Sequence, residues 1–373
     1  MGIDALHTNA TGANNTAVGV DALQFNTTGG YNTAMGSLAL NLNSTGGYNA
    51  AMGADALRAN TTGASNTAVG VSALGTNTTG NGNTATGFEA LKSNTTSHWN
   101  TAMGLWALTQ NTTGENNTAV GNSALKANTT GTINAAMGAG ALQYNTTGSA
   151  NTALGMVALY YNTTGGSNTA TGTEALKINT TGDSNTALGR QALSNTTAGS
   201  GNLALGAGAG INQTVGHNNM YLSHPGVAGE SGTIRFGTPG TQTRAFLAGV
   251  AGVPVSGSLV QVAANGQLGI KPSSRRYKEA IENMGTASQG LLHLRPVTFR
   301  YTPEVATGER LREYGLIAEE VAEVYPELVG HDAEGQIVTV QYHELIPMLL
   351  NELQEQHRQL EALTARVAEM EAK

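Results

Sequence analysis

The residues with the clearest chemical potential are Ser273 and Lys278, which lie five positions apart in a basic segment that begins at Lys271. A serine hydroxyl is a poor nucleophile until a base takes its proton, and a lysine can serve as that base once its pKa is lowered. Burial and neighbouring positive charge both lower a lysine pKa, and here the neighbours are Arg275 and Arg276. The residue types are therefore compatible with attack of Ser273 on an adjacent peptide carbonyl. The alternative is a merely basic loop.

The composition excludes several other classes of chemistry. The chain of 373 residues has no cysteine, so disulfides, thiolate metal sites and cysteine nucleophiles are excluded, and we expect neither a cofactor nor a metal. A net charge of −7 argues against a nucleic-acid partner. No apolar run approaches the roughly 20 residues of a membrane helix, so we expect no membrane insertion. We expect no signal peptide in this chain, because its first residues lack a basic-then-apolar pattern.

A 17-residue repeat dominates the chain as far as Asn212. Segments of the form Asn-Thr-Ala-x-Gly, or close variants, begin at twelve positions with a constant 17-residue spacing, from Asn15 to Asn202. The consensus is N-T-A-x-G-x-x-A-L-x-x-N-T-T-G-x-x. Two alanine columns, which begin at Ala17 and Ala22, are invariant, as is the glycine column that begins at Gly19. Such self-similarity is typical of an architecture in which each unit stacks on the next.

The repeat predicts strands and turns rather than helices, and hence a mainly β fold. Glycine, asparagine and threonine are poor in helix interiors, whereas short alternating stretches suit strands and Asn-Thr-Thr-Gly suits turns. Each repeat then forms one coil of a parallel β-solenoid, with two short strands and two turns, and coils stack at about 4.8 Å. We expect asparagine ladders along the columns that begin at Asn15 and Asn26.

The repeat supplies too little apolar surface for one chain to fold alone. The fixed apolar residues of a coil are two alanines and one leucine, too little burial to offset the ordering of the whole coil. The column that begins at Val18 neighbours the Ala17 column in the strand, so it must point outward if Ala17 points inward. Ten of its twelve members are apolar. The column consists of Val18, Met35, Met52, Val69, Thr86, Met103, Val120, Met137, Leu154, Thr171, Leu188 and Leu205. In a single chain, this apolar column would be exposed to water along the whole solenoid. We therefore expect a homotrimer with the Val18 column at its centre.

The coils resemble those of two kinds of extended surface protein. They are similar in character to the head repeats of trimeric autotransporter adhesins, which are shorter, and to the shafts of phage-type tail fibres. The resemblance implies a trimeric, left-handed parallel β-roll that acts as a structural rod in host attachment, on a virion or an extracellular surface. Ala5 and Leu6 already match the Ala22 and Leu23 columns. We therefore interpret the chain as a fragment, or as a fibre whose attachment part lies elsewhere.

The end of the 17-residue repeat and the rise in charge density after it divide the chain into three parts. They are a solenoid shaft at 1–212, a β-rich neck at 213–272 and a third domain at 273–373. Residues 213–373 contain 31 of the 43 charged residues. Short apolar runs in the neck predict strands at 220–222, 233–236, 245–250 and 259–262. We expect Tyr221, Phe236 and Phe246 to plug the end of the solenoid, since solenoids need caps.

The third domain is predicted to be a small α+β domain. The predicted elements are a helix from about Glu279, a strand at 297–301, a helix at 315–322, a strand at 337–340 and a long final helix. Apolar residues of the final helix follow a 4-3-4-3-4-3 spacing, with Gln356 as one polar layer. They are Leu349, Leu353, Leu360, Leu363, Val367 and Met370. This heptad seam predicts a trimerising coiled coil at 345–373, and the alternative is an amphipathic helix packed on its own domain.

Three ordered motifs of the third domain resemble the intramolecular chaperone at the C-terminus of phage tail spikes such as endosialidases. They are SSRRYKE from Ser273, LRPVTF from Leu294 and GLIAEEV from Gly315. The resemblance implies a domain that directs trimerisation and folding of a β-structural fibre and then releases itself by autoproteolysis. The family pattern Ser-Asp-x-Arg-x-Lys implies Ser273 and Lys278 as the catalytic pair. Ser274 stands at the usual aspartate position and is an alternative nucleophile. We expect no turnover of an external substrate.

Other functions compete with this hypothesis. Scattered aromatics of the repeat, such as Trp99, Trp106, Tyr144 and Tyr161, could stack on sugar rings. A cell-surface glycan or a protein could therefore be the receptor. A glycan-degrading spike is disfavoured because acidic residues of the repeat, such as Asp21 and Asp55, are isolated, whereas glycosidic cleavage usually needs a pair. An uncleaved bacterial surface adhesin is a further alternative. An ice-binding solenoid would leave residues 271–373 without a purpose.

Overall fold

The computed structural model describes residues 2–242, 244–247, 259–263, 265–303, 309–332 and 335–372. The chain divides into two compact units, Met1–Leu247 and Ala248–Lys373. The neck strand predicted at 245–250 lies partly outside the described residues.

The first unit is a parallel β-solenoid. One three-residue strand from each coil joins a 14-stranded sheet, in which the strands follow their order in the sequence. The strands are β1 (Thr16–Val18), β2 (Thr33–Met35), β3 (Ala50–Met52), β4 (Thr67–Val69), β5 (Thr84–Thr86), β6 (Thr101–Met103), β7 (Thr118–Val120), β8 (Ala135–Met137), β9 (Thr152–Leu154), β10 (Thr169–Thr171), β11 (Thr186–Leu188), β12 (Leu203–Leu205), β13 (Met220–Leu222) and β14 (Ile234–Phe236). From β1 to β13, neighbouring strands pair in register at a 17-residue spacing, as Ala17 pairs with Ala34. The last pair is offset by 14 residues, as Tyr221 pairs with Arg235. The predicted mainly β solenoid is confirmed.

Each coil contains one strand, so the prediction of two strands per coil is wrong. The remainder is a series of turns in which residues other than glycine adopt positive φ, such as Asp21 (57°), Leu23 (51°) and Tyr31 (60°). The N–H of Leu23 donates to the carbonyl oxygen of Ala39 in the next coil at 2.9 Å. The turns therefore form hydrogen bonds between adjacent coils, although their backbone is not extended like a strand. Because L-residues other than glycine rarely adopt this conformation, residue types do not signal it.

The core of the solenoid is narrow and is built from small residues. Side chains of the columns that begin at Ala17, Ala22 and Leu23 are buried in coil after coil. The glycine column permits close backbone approach, because Gly138 has φ +136° and a Cβ there would lie 2.5 Å from the carbonyl oxygen of Gly155. The Val18 column points away from this core, as predicted, and its side chains are exposed or half-buried.

Two ladders of asparagine line the coils, as predicted. Asn26 Nδ2 donates to Asn9 Oδ1, and Asn43 Nδ2 donates to Asn26 Oδ1, both at 2.7 Å. In the second ladder, the N–H of Asn32 donates to Asn15 Oδ1 at 2.9 Å. The ladders therefore satisfy buried polar groups that the small core could not otherwise pair.

The sheet continues beyond residue 212 into the segment predicted as the neck. Tyr221 pairs with Ala204 in the inward column, and its ring is fully buried, as expected for a plug. Phe236 and Phe246 are 69% and 89% exposed, so the prediction that they fill the end of the core is wrong. The reason at Phe236 is register, because it pairs with Leu222 in the outward column.

The second unit is a small α+β domain. Its described strands form three antiparallel pairs: β15 (Gln261–Val262) with β16 (Leu268–Gly269), β17 (Val297–Phe299) with β18 (Glu313–Gly315), and β19 (Val329–His331) with β20 (Ile337–Val340). The helices are α1 (Ala318–Val324) and α2 (Tyr342–Glu371), with short 3₁₀ helices at Arg275–Tyr277, Gly285–His293 and Pro326–Leu328. Its core consists of Val321, Tyr325, Leu328, Val329, Val340, Leu345 and Met348.

The predicted strands near 297 and 337 and the long final helix are confirmed, whereas the two shorter helices are placed differently. The helix predicted from about Glu279 is wrong, because the described backbone after Lys278 is irregular until a 3₁₀ helix begins at Gly285. The helix predicted from Gly315 begins at Ala318, since Gly315 pairs as a strand with Val297. In the part of the chain that the structure describes, no helix is both long enough and apolar enough to cross a bilayer.

Candidate self-cleavage site

A single 3₁₀ turn brings Ser273 and Lys278 together. The N–H of Tyr277 donates to the carbonyl oxygen of Ser274 at 3.0 Å, and the N–H of Lys278 donates to that of Arg275 at 3.1 Å. The residues that flank the turn are extended. The Lys278 side chain therefore reaches back to Ser273, and its Nζ donates to Ser273 Oγ at 3.3 Å.

The two neighbouring serines occupy different positions. Ser274 begins the turn, and its side chain makes no capping hydrogen bond. Ser273 is the serine in contact with the lysine, so the geometry favours it as the nucleophile. Ser273, Ser274 and Lys278 are all exposed in the single chain. The pair is therefore solvated in this state, and activation of the lysine as a base would require that it be covered.

The Ser273 and Lys278 side chains border a cleft of about 580 Å³. One wall is formed by Tyr325 and Leu328, and another by the first turns of α2, including Pro347. The Tyr325 hydroxyl donates to the carbonyl oxygen of Ala287 at 2.8 Å, and burial raises the pKa of this phenol. A cleft of this size gives a peptide segment or a water molecule access to the serine.

Sequence reasoning named Lys271 only as the start of the basic segment and missed His343 and Glu344. Lys271, also in the cleft, contacts His343 and Glu344 at the start of α2. These residues are more than seventy positions from Lys271 in the chain, and no motif links them. Only the folded domain places them beside the candidate site.

Helix α2 is buried at its start and exposed beyond it. Leu345 and Met348 belong to the domain core, and Asn351 Nδ2 donates to Ser288 Oγ at 2.8 Å and to the carbonyl oxygen of Gly285 at 2.9 Å. The predicted heptad residues are exposed: Leu349, Leu353, Leu360, Leu363, Val367 and Met370. The alternative of packing on its own domain therefore describes the first turns of the helix, and the seam is available to other helices.

The aromatic residues of the solenoid are distributed over several columns. Trp99 is 62% exposed, whereas Trp106, in a different column, is covered by Lys126, whose Nζ lies 4.8 Å from the ring centroid. The structure instead stacks Tyr144 on Tyr161, with ring centroids 5.5 Å apart. Sequence reasoning named these two tyrosines only as scattered aromatics, although their 17-residue offset places them in one column of adjacent coils.

Three acidic residues of the 17-residue repeat, Asp55, Glu89 and Glu174, each form an ion pair with a cation three positions later in the chain. Glu89 binds Lys92 at 2.6 Å, and Glu174 binds Lys177 at 2.9 Å. The hydrogen bond from Lys177 lowers the pKa of Glu174, whereas a glycosidase acid needs a raised pKa. Among the described residues, no group of three or more histidine, aspartate and glutamate side chains is arranged to hold a metal ion.

Part of the C-terminal unit matches a known protein family. Residues 273–330 match the family described as chaperone of endosialidase, and the match begins at Ser273. Neither the curated proteins nor the solved structures give a match to this chain. The chain thus joins a β-solenoid of 17-residue coils to a C-terminal domain similar to the endosialidase chaperone, which is the architecture that its sequence resembles.

Proposed function

We propose that this chain forms the shaft of a homotrimeric fibre, and that its C-terminal domain directs assembly and is then released by autoproteolysis beside Ser273. The observation that carries the proposal is the 3.3 Å contact between Lys278 Nζ and Ser273 Oγ, at the start of the segment that matches the endosialidase chaperone. We place the fibre on a virion or a cell surface, where such a rod would serve host attachment.

Two uncovered apolar rows support the homotrimer. On the solenoid, the Val18 column leaves side chains such as Met52 and Leu188 about half exposed. On α2, heptad residues such as Leu353 are more exposed still. Single exposed apolar residues are ordinary, but continuous rows are typical of interfaces. Three chains wound about one axis would cover both rows.

The repeat itself explains why assembly would need a chaperone. A long parallel solenoid depends on contacts that are slow to nucleate, and it exposes strand edges until it closes. Because the coils are nearly identical, a slip by one whole coil keeps every column in place, so the repeats specify register weakly. A C-terminal domain that aligns three chains first would fix register. The closed rod, kinetically stable, would then no longer need it.

The proposed cleavage is an acyl transfer to Ser273 followed by hydrolysis. Lys278, deprotonated at Nζ, takes the hydroxyl proton as Oγ attacks the carbonyl carbon of an adjacent peptide bond. The C–N bond breaks, the departing amine receives that proton from Lys278, and an ester remains on Oγ. Water hydrolyses the ester, which restores the hydroxyl and leaves a carboxylate. Desolvation favours the uncharged form of a lysine, so burial of this pair on assembly would couple cleavage to a correctly formed trimer.

Denaturing gel electrophoresis tests the catalytic pair. The parent should give two products in place of one chain of 38.1 kDa, and Ser273→Ala and Lys278→Ala should each remain intact. Ser274→Ala is the matched control and should be cleaved like the parent, because the lysine contact is made by Ser273. Cleavage of both Ser273→Ala and Lys278→Ala would overturn the pair. An intact parent would favour the uncleaved adhesin.

Glycan attachment is a second candidate function, and the exposed stack of Tyr144 and Tyr161 favours it. Paired tyrosine faces suit sugar rings, which present C–H groups to aromatic surfaces. Alanine at both positions should abolish binding to cells or glycans if this stack is the contact. Alanine at Trp99 and Trp106 tests the separate tryptophans, and binding that survives both pairs of substitutions would exclude these aromatics.

A further inference from the structure

Lys271, two residues before Ser273, is held by the start of α2. Its Nζ forms an ion pair with Glu344 Oε1 and lies 3.3 Å from His343 Nε2. Gln261 Nε2 also lies 3.3 Å from His343 Nε2. The same imidazole nitrogen lies 3.6 Å from Glu344 Oε1, so Lys271, Gln261, His343 and Glu344 form one polar cluster.

The groups that hold Lys271 are rigidly placed. Leu345 and Met348, in the same turns of α2, are buried in the domain core. Between Lys271 and Ser273 stands Pro272, whose ring restricts its own φ to a narrow range and keeps the preceding residue extended. Lys271, Pro272 and Ser273 all line the same cleft. The contact at Lys271 therefore joins the segment directly before the candidate cleavage site to the start of α2.

We propose that Lys271 and Gln261, with His343 and Glu344, form a latch that holds the two products of self-cleavage together. The inference rests on the proposed cleavage beside Ser273. Whichever bond next to Ser273 breaks, Lys271 and Gln261 belong to the upstream product, and His343 and Glu344 belong to the downstream one. The latch spans the cut, so cleavage and release of the chaperone domain are separate steps.

The exposure of the latch sets its strength. The side chains of Lys271, His343 and Glu344 are 50%, 39% and 34% exposed, so solvent and salt screen the ion pair. An exposed ion pair of this kind changes the dissociation equilibrium of the two products by about two- to fivefold. In a trimer, three latches would act together, and their loss would speed release by about ten- to a hundredfold.

The test measures cleavage and release separately. Full-length parent and Glu344→Gln carry an affinity tag before the solenoid. Denaturing gels give the cleaved fraction, and the rate at which the downstream product leaves the resin gives release. We expect equal cleavage, with faster release of Glu344→Gln. The charge-swapped pair, Lys271→Glu with Glu344→Lys, should restore slow release. Glu361→Gln, an exposed acid further along α2, should release like the parent.

Release of Glu344→Gln at the parental rate would overturn the latch, as would failure of the charge swap to restore retention. Added NaCl should speed release of the parent and leave Glu344→Gln nearly unchanged. In a Ser273→Ala chain with a protease recognition sequence inserted after Pro272, an added protease makes the cut. Release from this chain tests the latch without self-cleavage. If this chain holds its products when cut this way while the parent never cuts itself, the Ser273–Lys278 pair is contradicted and the latch is supported.

Discussion

Removal of one rung of the buried asparagine ladder, by Asn117→Ala, should open the solenoid locally. Asn117 Oδ1 accepts hydrogen bonds from the N–H of Asn134 at 3.0 Å and from its Nδ2 at 3.1 Å. Asn117 Nδ2 donates to the carbonyl oxygen of Gly131 at 2.9 Å. Alanine would leave the buried Asn134 N–H unpaired, whereas the Gly131 oxygen keeps a hydrogen bond from Asn128 at 3.0 Å. An orphaned buried donor costs about 1–3 kcal/mol and the lost hydrogen bonds about 1 more, so we expect a loss of about 2–4 kcal/mol per chain.

Hydrogen exchange read by mass spectrometry measures this loss coil by coil. At tenfold per 1.4 kcal/mol, amides of the two coils that contain Asn117 and Asn134 should exchange about 30- to 1000-fold faster than in the parent. Coils near Asn32 should keep their protection. The matched control is Asn122→Ala, because Asn122 is exposed in the same coil, and it should stay within about 0.5 kcal/mol of the parent. Equal exchange in the two variants would refute the reasoning, since the buried rung would then contribute no more than a surface amide.

Two further predictions concern the glycine column and the end of the solenoid. Gly138→Ala should cost more than about 3 kcal/mol, because it combines φ +136° with a 2.5 Å approach to Gly155. Gly208→Ala, at φ +66° with open space around the new Cβ, should cost only about 1 kcal/mol in the same denaturant titration, and equal losses would contradict the packing argument. Burial raises the pKa of Glu230, but the hydrogen bonds and charge of Arg235 outweigh it and hold this pKa below its ordinary value. The stabilisation is therefore present above the ordinary pKa and lost as pH falls through the lowered one. The stability gap between parent and Glu230→Gln should thus shrink from pH 7 to pH 3, and a constant gap would contradict the ion pair's role.

The regular columns of the solenoid were predictable from residue identity, whereas the path of the chain between them was not. Ala17 and Val18 are neighbours in a strand, so their opposite orientations follow from the period of two. The turn at Leu23 has φ +51°, and this buried leucine resembles any core leucine until the backbone is seen. For the same reason a second strand was predicted where the chain forms turns.

In the C-terminal unit, local patterns identified the strands near Val297 and Ile337 and the helix α2, but not the contacts between distant segments. Lys271 and Glu344 meet only because the start of α2 is packed into the domain core. The roles of Ser273 and Lys278 remain a prediction. Their residue types and spacing predict a nucleophile and a base, and the turn at Arg275–Tyr277 brings the two side chains into contact. For cleavage, assembly would have to remove water from this pair.

The molar mass of the native protein tests the central claim most directly. Light scattering on the Ser273→Ala variant, in which self-cleavage should not change the mass, should give three chains of 38.1 kDa, about 114 kDa in total. Hydrogen exchange on the same sample would show whether the solenoid is folded. A particle of one chain mass with a protected solenoid would contradict the account, because the Val18 column and the α2 seam would then both be stable in water.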